Sequence, residues 1–397
     1  MKAKEMSMRV EEIQRALKDE GLDGWLFFDH HQRDPLAYRI LNLTTSKMAT
    51  RRWYYFIPAQ GEPRGLVHRI EAGALTGLPG TITPYAGWGS QIDGLKGLLA
   101  GAHRVAMQYS PNCAVPYVSL VDGGTIELIR GLGVEVVTSA NLIQIFEAVW
   151  SADQLEMHLE AGRRVDKVRA AAFTHIADTL RSGQAIGEWD VNRFIRRGFD
   201  EEGLWTDHGP IVAVNSNMSD PHYEPAADRS RPIHKGDAVL IDMWAKLDKP
   251  GAVFYDITWT GFCGSDPPAR LQQIFDVVTT GRDRAVDRVV SAIGSGEQLE
   301  GFQVDDAARE YIASQGFGEY FVHRTGHSIG EDVHGNGANM DNLETHDDRR
   351  VIAGTCFSVE PGVYLPEFGI RAEVNVYVGA DRAQVTGETQ RKLVSIV

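Results

Sequence analysis

Two carboxylates interrupt strand-like apolar runs in the second half of this 397-residue chain. Asp242 lies within the run 239–243, and Asp256 lies within the run 254–258. An ionised carboxylate in an apolar strand costs several kcal/mol unless a positive charge or hydrogen bonds compensate it. The turn-forming segment 246–251 separates the two runs, so a hairpin would bring both acids together. Any fold of this chain must therefore supply a cation, a basic side chain or a shared proton at this point.

Three further polar residues extend this pattern. Glu360 ends another apolar run before a Pro-Gly turn, and Glu373 interrupts the next one. Arg371 lies two positions before Glu373, so both side chains would point to one face of a strand. His327 lies in the glycine-containing segment 323–330, where backbone can approach a site closely. The two aspartates alone would fit a structural salt bridge equally well, but the larger set favours a metal site.

Four carboxylates and one imidazole form a hard, oxygen-rich ligand set. Such a set suits two divalent ions such as Mn²⁺, Co²⁺ or Zn²⁺, rather than one zinc ion bound by cysteine or by three histidines. Two ions can hold a hydroxide between them, lower the pKa of water from about 15.7 toward about 7, and polarise a carbonyl group. The sequence therefore predicts a hydrolase that cleaves amide bonds at neutral pH.

The composition excludes several other kinds of partner. The formal net charge is −14 and the 40 basic residues form no run, so nucleic acid is not an expected partner. No apolar run approaches the roughly 20 residues that span a bilayer, so we expect neither export nor membrane insertion. Cys113, Cys263 and Cys356 are few and far apart, which indicates a reducing compartment, and we expect a cytoplasmic protein.

Hydrophobic patterning predicts two domains. From residue 10 to about 150, short apolar runs such as 24–28 and 53–57 alternate with amphipathic stretches, which is typical of an α/β layer domain. The sequence 151–154 has the form of a capping box and begins a helical pattern that ends at Gly183. We therefore expect one domain at 1–150 and a second at 151–397, and the second carries nearly all candidate site residues.

Six short motifs follow one another in the second half: Ile241-Asp242-Met243, Asp256-Ile257-Thr258, Gly326-His327-Ser328-Ile329-Gly330, Val333-His334, Glu360-Pro361-Gly362-Val363-Tyr364 and Gly369-Ile370-Arg371-Ala372-Glu373. In this order they resemble the motifs of the prolidase, aminopeptidase P and creatinase group. The resemblance covers about 211–378, and the first half resembles the N-terminal domain of that group only loosely. It implies an α/β N-terminal domain followed by an α+β pita-bread catalytic domain with a curved, mainly antiparallel sheet.

The resemblance also implies a role for each candidate residue. Asp242 would be a terminal metal ligand, Asp256 and Glu373 would bridge two ions, and His327 and Glu360 would complete one of them. Glu360 would also move a proton. The remaining catalytic or substrate-binding candidates are the three pocket histidines and two orienting groups: His222, His323, His334, Arg371 and Tyr364.

Within this group the sequence favours a metal-dependent Xaa-Pro dipeptidase. Creatinase works without metal and does not keep the five ligands, and methionine aminopeptidases lack a leading domain of this size. Arg371 would bind the C-terminal carboxylate of a dipeptide whose second residue is proline, and the resemblance implies a homodimer. An aminopeptidase P that accepts longer peptides is the alternative. Trp244 and Trp259 depart from the usual pattern of the group and leave the preferred substrate length open.

Two readings from other classes are also open. Gly326-His327-Ser328-Ile329-Gly330 satisfies the G-x-S-x-G elbow of serine hydrolases, with Ser328 as nucleophile, although only His334 and His346 follow it closely. Domains of the same fold also exist that only bind peptides, and these usually lack the metal ligands. The five ligands of this chain favour an enzyme over both readings.

Overall fold

A mixed six-stranded sheet organises the first part of the chain. The structure, a computed structural model, describes residues 2–45 and 48–396. It divides into two compact units, Met1–Glu147 and Ala148–Val397. The sheet of the first unit has the order β4-β3-β2-β1-β5-β6. Its strands are β1 (Gly24–Asp29), β2 (Trp53–Pro58), β3 (Arg64–His68), β4 (Thr81–Tyr85), β5 (Arg104–Met107) and β6 (Glu135–Thr138).

Helices cover both faces of this sheet, because its central strands are apolar on both faces. Trp25 and Phe27 of β1 pack with one group of helices, whereas Leu26 and Phe28 pack with the other. The first group is α1 (Lys2–Asp19), α2 (Pro35–Ile40) and α5 (Ala140–Glu147), and the second is α3 (Trp88–Leu98) and α4 (Gly123–Arg130). The expected α/β layering of the N-terminal part is confirmed.

The second unit combines four long helices with mainly antiparallel sheets. Its helices are α6 (Ala152–Arg181), α7 (Glu188–Glu201), α8 (Ala269–Ser295) and α9 (Gly301–Ser314). Ser151 and Gln154 form the capping box that begins α6, as their sequence predicts. The first strands are β7 (Leu204–Trp205), β8 (Ile211–Val214), β9 (Ala238–Leu247) and β10 (Tyr255–Phe262), which form one sheet with β17 (Val394–Ser395).

The remaining strands form two smaller antiparallel sheets. One contains β11 (Ser328–Ile329), β12 (Cys356–Val359), β15 (Val374–Val378) and β16 (Ala383–Thr386), and the other is the hairpin of β13 (Gly362–Tyr364) and β14 (Gly369–Arg371). The expectation that one strand carries both Arg371 and Glu373 is wrong, because β14 ends at Arg371 and β15 begins at Val374. The chain changes sheets at this break, where the N–H of Glu373 donates to the C=O of Thr258 at 3.2 Å.

The pairing of β9 with β10 sets the position of both aspartates. Thr258 lies opposite Asp242, and Asp256 lies opposite Trp244, so the two acids are diagonal neighbours on one face. The predicted hairpin is confirmed. The alternate residues, including Ile241 and Ile257, belong to a separate core cluster with α6 and α7. One face of this sheet is thus a dry core, and the other carries the acids.

Two further features concern the cysteines and the helices. The three cysteines are unpaired, and two of them, Cys263 and Cys356, are buried. Among the described residues, no helix combines the length and the apolar character needed to cross a bilayer.

Candidate metal centre and substrate cavity

A cavity of about 470 Å³ lies above the acid-bearing face of β9 and β10. Nine of the ten residues that the sequence singled out line it: Asp242, Asp256, His327, Glu360, Glu373, His222, His323, His334 and Arg371. The tenth, Tyr364, is buried, contacts Arg371 and does not line the cavity. Strands far apart in the sequence therefore converge on one site.

Asp256, His327 and Glu373 form the tightest group of ligand-type side chains. One ligand atom from each residue lies within 4.8 Å of the others, and all three residues are buried. Asp242 and Glu360 line the same cavity but are not part of this group of three. The group has the spacing of residues that share one small cation.

Two carboxylate oxygens in this group lack the hydrogen bonds that usually stabilise a buried acid, among the residues that the structure describes. Asp256 Oδ1 and Glu373 Oε1 are buried and have no hydrogen-bond partner among the described residues. Burial, and next the charge of a neighbouring carboxylate, raises the pKa of each acid well above its ordinary value; that neighbour is Glu360 for Asp256, and Asp256 for Glu373. Bare, mutually repelling oxygens at the centre of a donor set are what divalent cations satisfy. The residues present thus fit a metal site.

His327 is oriented so that a nitrogen lone pair faces the acids. Its Nδ1 lies 3.1 Å from the Ser328 C=O, which assigns the proton to Nδ1, and its Nε2 lies 3.3 Å from Glu360 Oε1. Burial lowers the pKa of His327, which favours the neutral ring. A lone pair facing carboxylate oxygens is repulsive, so a cation between them resolves the contact.

Ser358 connects His327 with Glu360. Its Oγ accepts from the backbone N–H of His327 at 3.0 Å and donates to Glu360 Oε1 at 3.0 Å. Burial raises the pKa of Glu360, but the neighbouring imidazoles of His327 and His323 and the Arg371 guanidinium outweigh that effect, and the pKa is lowered. Glu360 is therefore the most readily ionised of the four candidate ligand carboxylates.

Asp242 pairs with Arg371 across 129 residues of sequence. Arg371 Nη2 donates to Asp242 Oδ2, and burial, opposed by this arginine, raises the pKa of Asp242 to about 7. The other donors of Arg371 reach Thr258 Oγ1 at 3.1 Å, Tyr364 Oη at 3.0 Å and the Pro221 C=O at 3.3 Å. Arg371 is thus fixed in place by four bonds within the protein.

A chain of hydrogen bonds extends from this arginine to His323. Tyr364 Oη accepts from Arg371 and lies 2.7 Å from His323 Nε2, and His323 Nδ1 lies 2.6 Å from the Arg324 C=O. Nδ1 therefore carries the proton, and Tyr364 donates to Nε2. Burial lowers the pKa of His323 to about 4, so this imidazole is neutral.

His222 and His334 are the exposed histidines of the cavity. The ring of His334 meets the ring of His327 edge-on, with 4.4 Å between centroids. The neighbouring His327 is the largest cause that lowers the pKa of His334, to about 4. His222 is held through its backbone N–H, which donates to Asp220 Oδ1 at 3.0 Å. Both side chains can present a ring nitrogen to a bound molecule.

The segment around Ser328 does not have the geometry of a serine nucleophile. Ser328 Oγ is buried and accepts the Gly337 N–H at 2.9 Å. Ser328 begins the short strand β11, whereas a nucleophile elbow joins a strand to a helix. A Cβ atom at Gly326 would lie 1.9 Å from the Ser358 C=O, so glycine is needed there for close packing beside His327.

Three residues support the site without having been singled out as site residues from the sequence. Thr258 Oγ1 donates to Glu373 Oε2 at 2.8 Å, and Asn375 Oδ1 accepts the Asp256 N–H at 3.1 Å. Ser358 is the third. Asn375 shares the two-residue alternation of Arg371 and Glu373, which is a signal the sequence contained. Thr258 has the same relation to Asp256.

The two tryptophans that depart from the family pattern have different positions. Trp244 lines the cavity, and its Nε1 donates to Asp207 Oδ1 at 2.8 Å. Trp259 points to the opposite face of β10, where the Arg169 guanidinium lies 3.5 Å from its ring centroid. Only Trp244 is therefore placed to contact a molecule in the cavity.

Comparison with known proteins identifies one family. The model of the family described as metallopeptidase family M24 matches residues 156–380. The probable dipeptidase PepE of Mycobacterium tuberculosis is 26% identical over 345 residues, which are 86% of this chain and 84% of that protein. The Xaa-Pro dipeptidase of Pyrococcus horikoshii is 30% identical over 255 residues, covering 64% of this chain and 66% of that one.

Solved structures share the fold over the whole chain. The crystal structure of dipeptidase PepE from Mycobacterium ulcerans aligns with a TM-score of 0.67 at 24% identity, over 100% of this chain and 99% of the other. The architecture described above is therefore a known one, with both units included.

Proposed function

This chain belongs to metallopeptidase family M24, and we propose that it hydrolyses the amide bond to proline in Xaa-Pro dipeptides. The observation that supports a metal centre most strongly is the pair of buried, unpartnered oxygens on Asp256 and Glu373. The relatives named Xaa-Pro dipeptidase support the choice of substrate. The catalytic unit is the pita-bread fold of the family, preceded by an α/β unit.

Five side chains would hold two divalent ions. Asp256 and Glu373 lie at the centre of the group and would bridge the ions, with Asp242 as terminal ligand of one, and with His327 and Glu360 completing the other. When bound, such ions lower the pKa of water and polarise the scissile carbonyl. Oxygen-rich sites accept several ions, and we propose Mn²⁺, Zn²⁺ or Co²⁺.

The chain's own groups would orient the peptide and move protons. The pKa of Glu360 is lowered, its side chain is half-buried in the cavity wall, and Ser358 donates to its Oε1, so its Oε2 would take a proton and return it to the leaving nitrogen. His222 and His334 reach the cavity from its exposed side and would stabilise negative charge on the carbonyl oxygen. His323, through Tyr364 and Arg371, would hold Asp242 in position.

A dipeptide is the substrate we favour over a longer chain. The cavity has a volume of about 470 Å³, in the lower half of the range of small-molecule sites, and Trp244 lies in its lining. Aminopeptidase P activity, which releases the first residue of longer Xaa-Pro peptides, is the second candidate, because the same ligand set serves both reactions.

A cleavage panel tests the proposal. The protein is stripped with a chelator, reloaded with Mn²⁺, Zn²⁺ or Co²⁺, and assayed on Ala-Pro, Gly-Pro, Ala-Pro-Gly and Ala-Ala. We expect metal-dependent cleavage of the two proline dipeptides only. Cleavage of Ala-Pro-Gly at a comparable rate would identify an aminopeptidase P. Activity that survives chelation, or no cleavage with any ion, would contradict the proposal.

We also propose a cytoplasmic location and a homodimer. The unpaired cysteines suit a reducing compartment, and the homodimer follows from the family resemblance alone. Light scattering coupled to gel filtration measures the assembly, and a mass of one chain would exclude the dimer.

A further inference from the structure

We propose that Trp244 selects the first residue of the substrate and makes the enzyme prefer dipeptides with an apolar side chain before proline. This inference rests on the proposed dipeptidase function and names a part of the substrate that the metal-ligand set leaves open. Trp244 departs from the pattern of the group that the chain resembles, and it lines the cavity. Its role therefore does not follow from the residues that this chain shares with that group.

Strand pairing places Trp244 beside the candidate metal ligands. Trp244 lies opposite Asp256 and two residues after Asp242, so its side chain is on the same face of the sheet as both acids. Ile211 of β8 lies opposite Asp242 and shares this face. Val333 and Trp244 pack against the same core cluster. Ile211, Trp244 and Val333 all line the cavity, and we call these three residues the apolar wall.

The indole of Trp244 is held in place and offers a bound molecule mainly apolar surface. Its Nε1 donates to Asp207 Oδ1 at 2.8 Å, which occupies the only hydrogen-bonding atom of this side chain. The ring packs against two core clusters, one with Val253 and Phe254 and one with Ile211. Trp244 is only half-buried, so part of its ring stays exposed. Covering that surface with an apolar group is favourable.

The two ends of the acid-bearing face differ in their charged groups. Arg371 bonds to Asp242 and Thr258, which lie opposite each other on β9 and β10. Trp244 and Asp256 form the next pair on this face, about 7 Å farther along the strands. The buried guanidinium therefore lies at one end of this face, and the indole lies at the other.

The charged group in contact with the indole is Asp207. Burial and the charge of Glu360 raise the pKa of Asp256 most, and the charge of Asp207 adds to this effect, so it reaches the centre of the site. Asp207 is not among the candidate ligands, so bound ions would leave its charge in place. The ammonium group of a dipeptide is thus attracted to the Trp244 end, and its carboxylate to the Arg371 end.

This orientation brings the first side chain of the substrate to the apolar wall. That side chain is bonded to the carbon atom that carries the ammonium group, which lies near Asp207. The wall offers no donor or acceptor to a charged group, because Trp244 Nε1 is already bonded. We therefore expect faster cleavage of Leu-Pro than of Gly-Pro, and slower cleavage of Glu-Pro than of its neutral counterpart Gln-Pro.

Matched dipeptides test the inference on the metal-loaded protein. Leu-Pro and Gly-Pro differ only in the first side chain, and burying about half of a leucine side chain corresponds to about 5- to 10-fold in kcat/KM. We expect this ratio in the unmodified protein, a fall toward 1 in Trp244→Ala, and most of the ratio in Trp244→Phe. Trp189→Ala is the matched control, because Trp189 is a half-buried tryptophan of α7 outside the cavity lining. This control should keep the ratio.

Two milder variants keep the inference testable if Trp244→Ala misfolds. Val333→Thr is nearly isosteric and adds a hydroxyl group to the apolar wall, so it should lower the Leu-Pro to Gly-Pro ratio by about 2- to 3-fold. Asp207→Asn keeps an oxygen acceptor for the indole and removes the charge. It should therefore raise cleavage of Glu-Pro relative to Gln-Pro by about 2- to 5-fold and keep the Leu-Pro to Gly-Pro ratio.

The outcomes that would overturn the inference differ from those that would overturn the proposed function. A Leu-Pro to Gly-Pro ratio near 1 in the unmodified protein, or a ratio that Trp244→Ala or Val333→Thr leaves unchanged or raises, would refute selection by the apolar wall while leaving the peptidase intact. An unchanged Glu-Pro to Gln-Pro ratio in Asp207→Asn would refute the orientation on which the inference depends. Failure of the unmodified, metal-loaded protein to cleave any of these dipeptides would refute the proposed function and this inference with it.

Discussion

Replacing the central acid of the site should make the metal-free protein more stable while abolishing its response to metal. Asp256 is buried with one unpartnered oxygen, and burial and neighbouring acids raise its pKa well above its ordinary value. Asp256→Asn keeps the shape, removes the charge and adds an N–H₂ group that can donate to Glu373 or Glu360. The change therefore removes a destabilising group from the metal-free fold.

The size of the effect follows from the contacts that are missing. An unsatisfied buried polar group costs about 1–3 kcal/mol, and more when charged, so the metal-free variant should gain at least part of that amount. For a domain of about 150–250 residues, about 1 kcal/mol corresponds to about 2–4 °C in Tm. Metal at about 100 times Kd should stabilise the unmodified protein by about 2.7 kcal/mol, and Asp256→Asn should lose nearly all of this gain.

Calorimetric scans with and without Mn²⁺ measure both effects at once. Asp248→Asn is the matched control, because it makes the same chemical change on the exposed turn of the same hairpin. The control should match the unmodified protein in both scans. If Asp256→Asn lowered the Tm of the metal-free protein and kept the full metal-induced rise, the reasoning from bare carboxylates to a metal site would be refuted.

Three further predictions concern the same network. Burial raises the pKa of Asp242 from 3.8 to about 7. Between these values the folded metal-free protein keeps a proton that the unfolded chain releases. The stability of the metal-free protein should therefore fall as the pH rises from about 4 to about 7. Chemical denaturation across this range measures the fall in stability, and a flat profile would contradict it. The lowered pKa of Glu360 changes the stability only below pH 4.5, its ordinary pKa. Ser358→Ala should weaken metal binding by about 10- to 100-fold, since it removes the bonds of this hydroxyl to the His327 backbone and to Glu360. Unchanged affinity in calorimetry would show that Ser358 does not support the site. Arg371→Ala should destabilise the protein by about 3–5 kcal/mol, because it leaves Asp242 buried without its cation; an unchanged Tm with a higher KM would instead favour direct binding of substrate by Arg371.

The residue types of the site were predictable because each one violates the pattern around it. Asp242, Asp256 and Glu373 are acids in apolar runs, and burying them has a physical cost that sequence alone reveals. The β9–β10 pairing that unites the first two follows from the turn-forming residues between them. The N-terminal sheet was predictable for a related reason, since runs such as 24–28 and 53–57 are apolar on both faces.

The partners of these residues were not predictable, because they depend on contacts between distant strands. Ser358 is one small polar residue in an apolar strand, a pattern that fits many buried positions. Glu360 is only two residues away, but the contact of Ser358 with the His327 backbone becomes evident only when β11 and β12 pair. The Asp242–Arg371 pair joins two sheets, and the break between β14 and β15 that makes it possible leaves no turn signal in the sequence. Local pattern therefore identifies the ligands, and tertiary structure assigns their partners.

The arrangement of ions is the central claim, and crystals grown with excess Mn²⁺ test it most directly. Anomalous difference maps should show two peaks per chain, with Asp256 and Glu373 between them and with Asp242, His327 and Glu360 around them. A single peak would refute the bridging roles of Asp256 and Glu373. No peak, with the five side chains pointing apart, would contradict a metal-dependent mechanism for this chain.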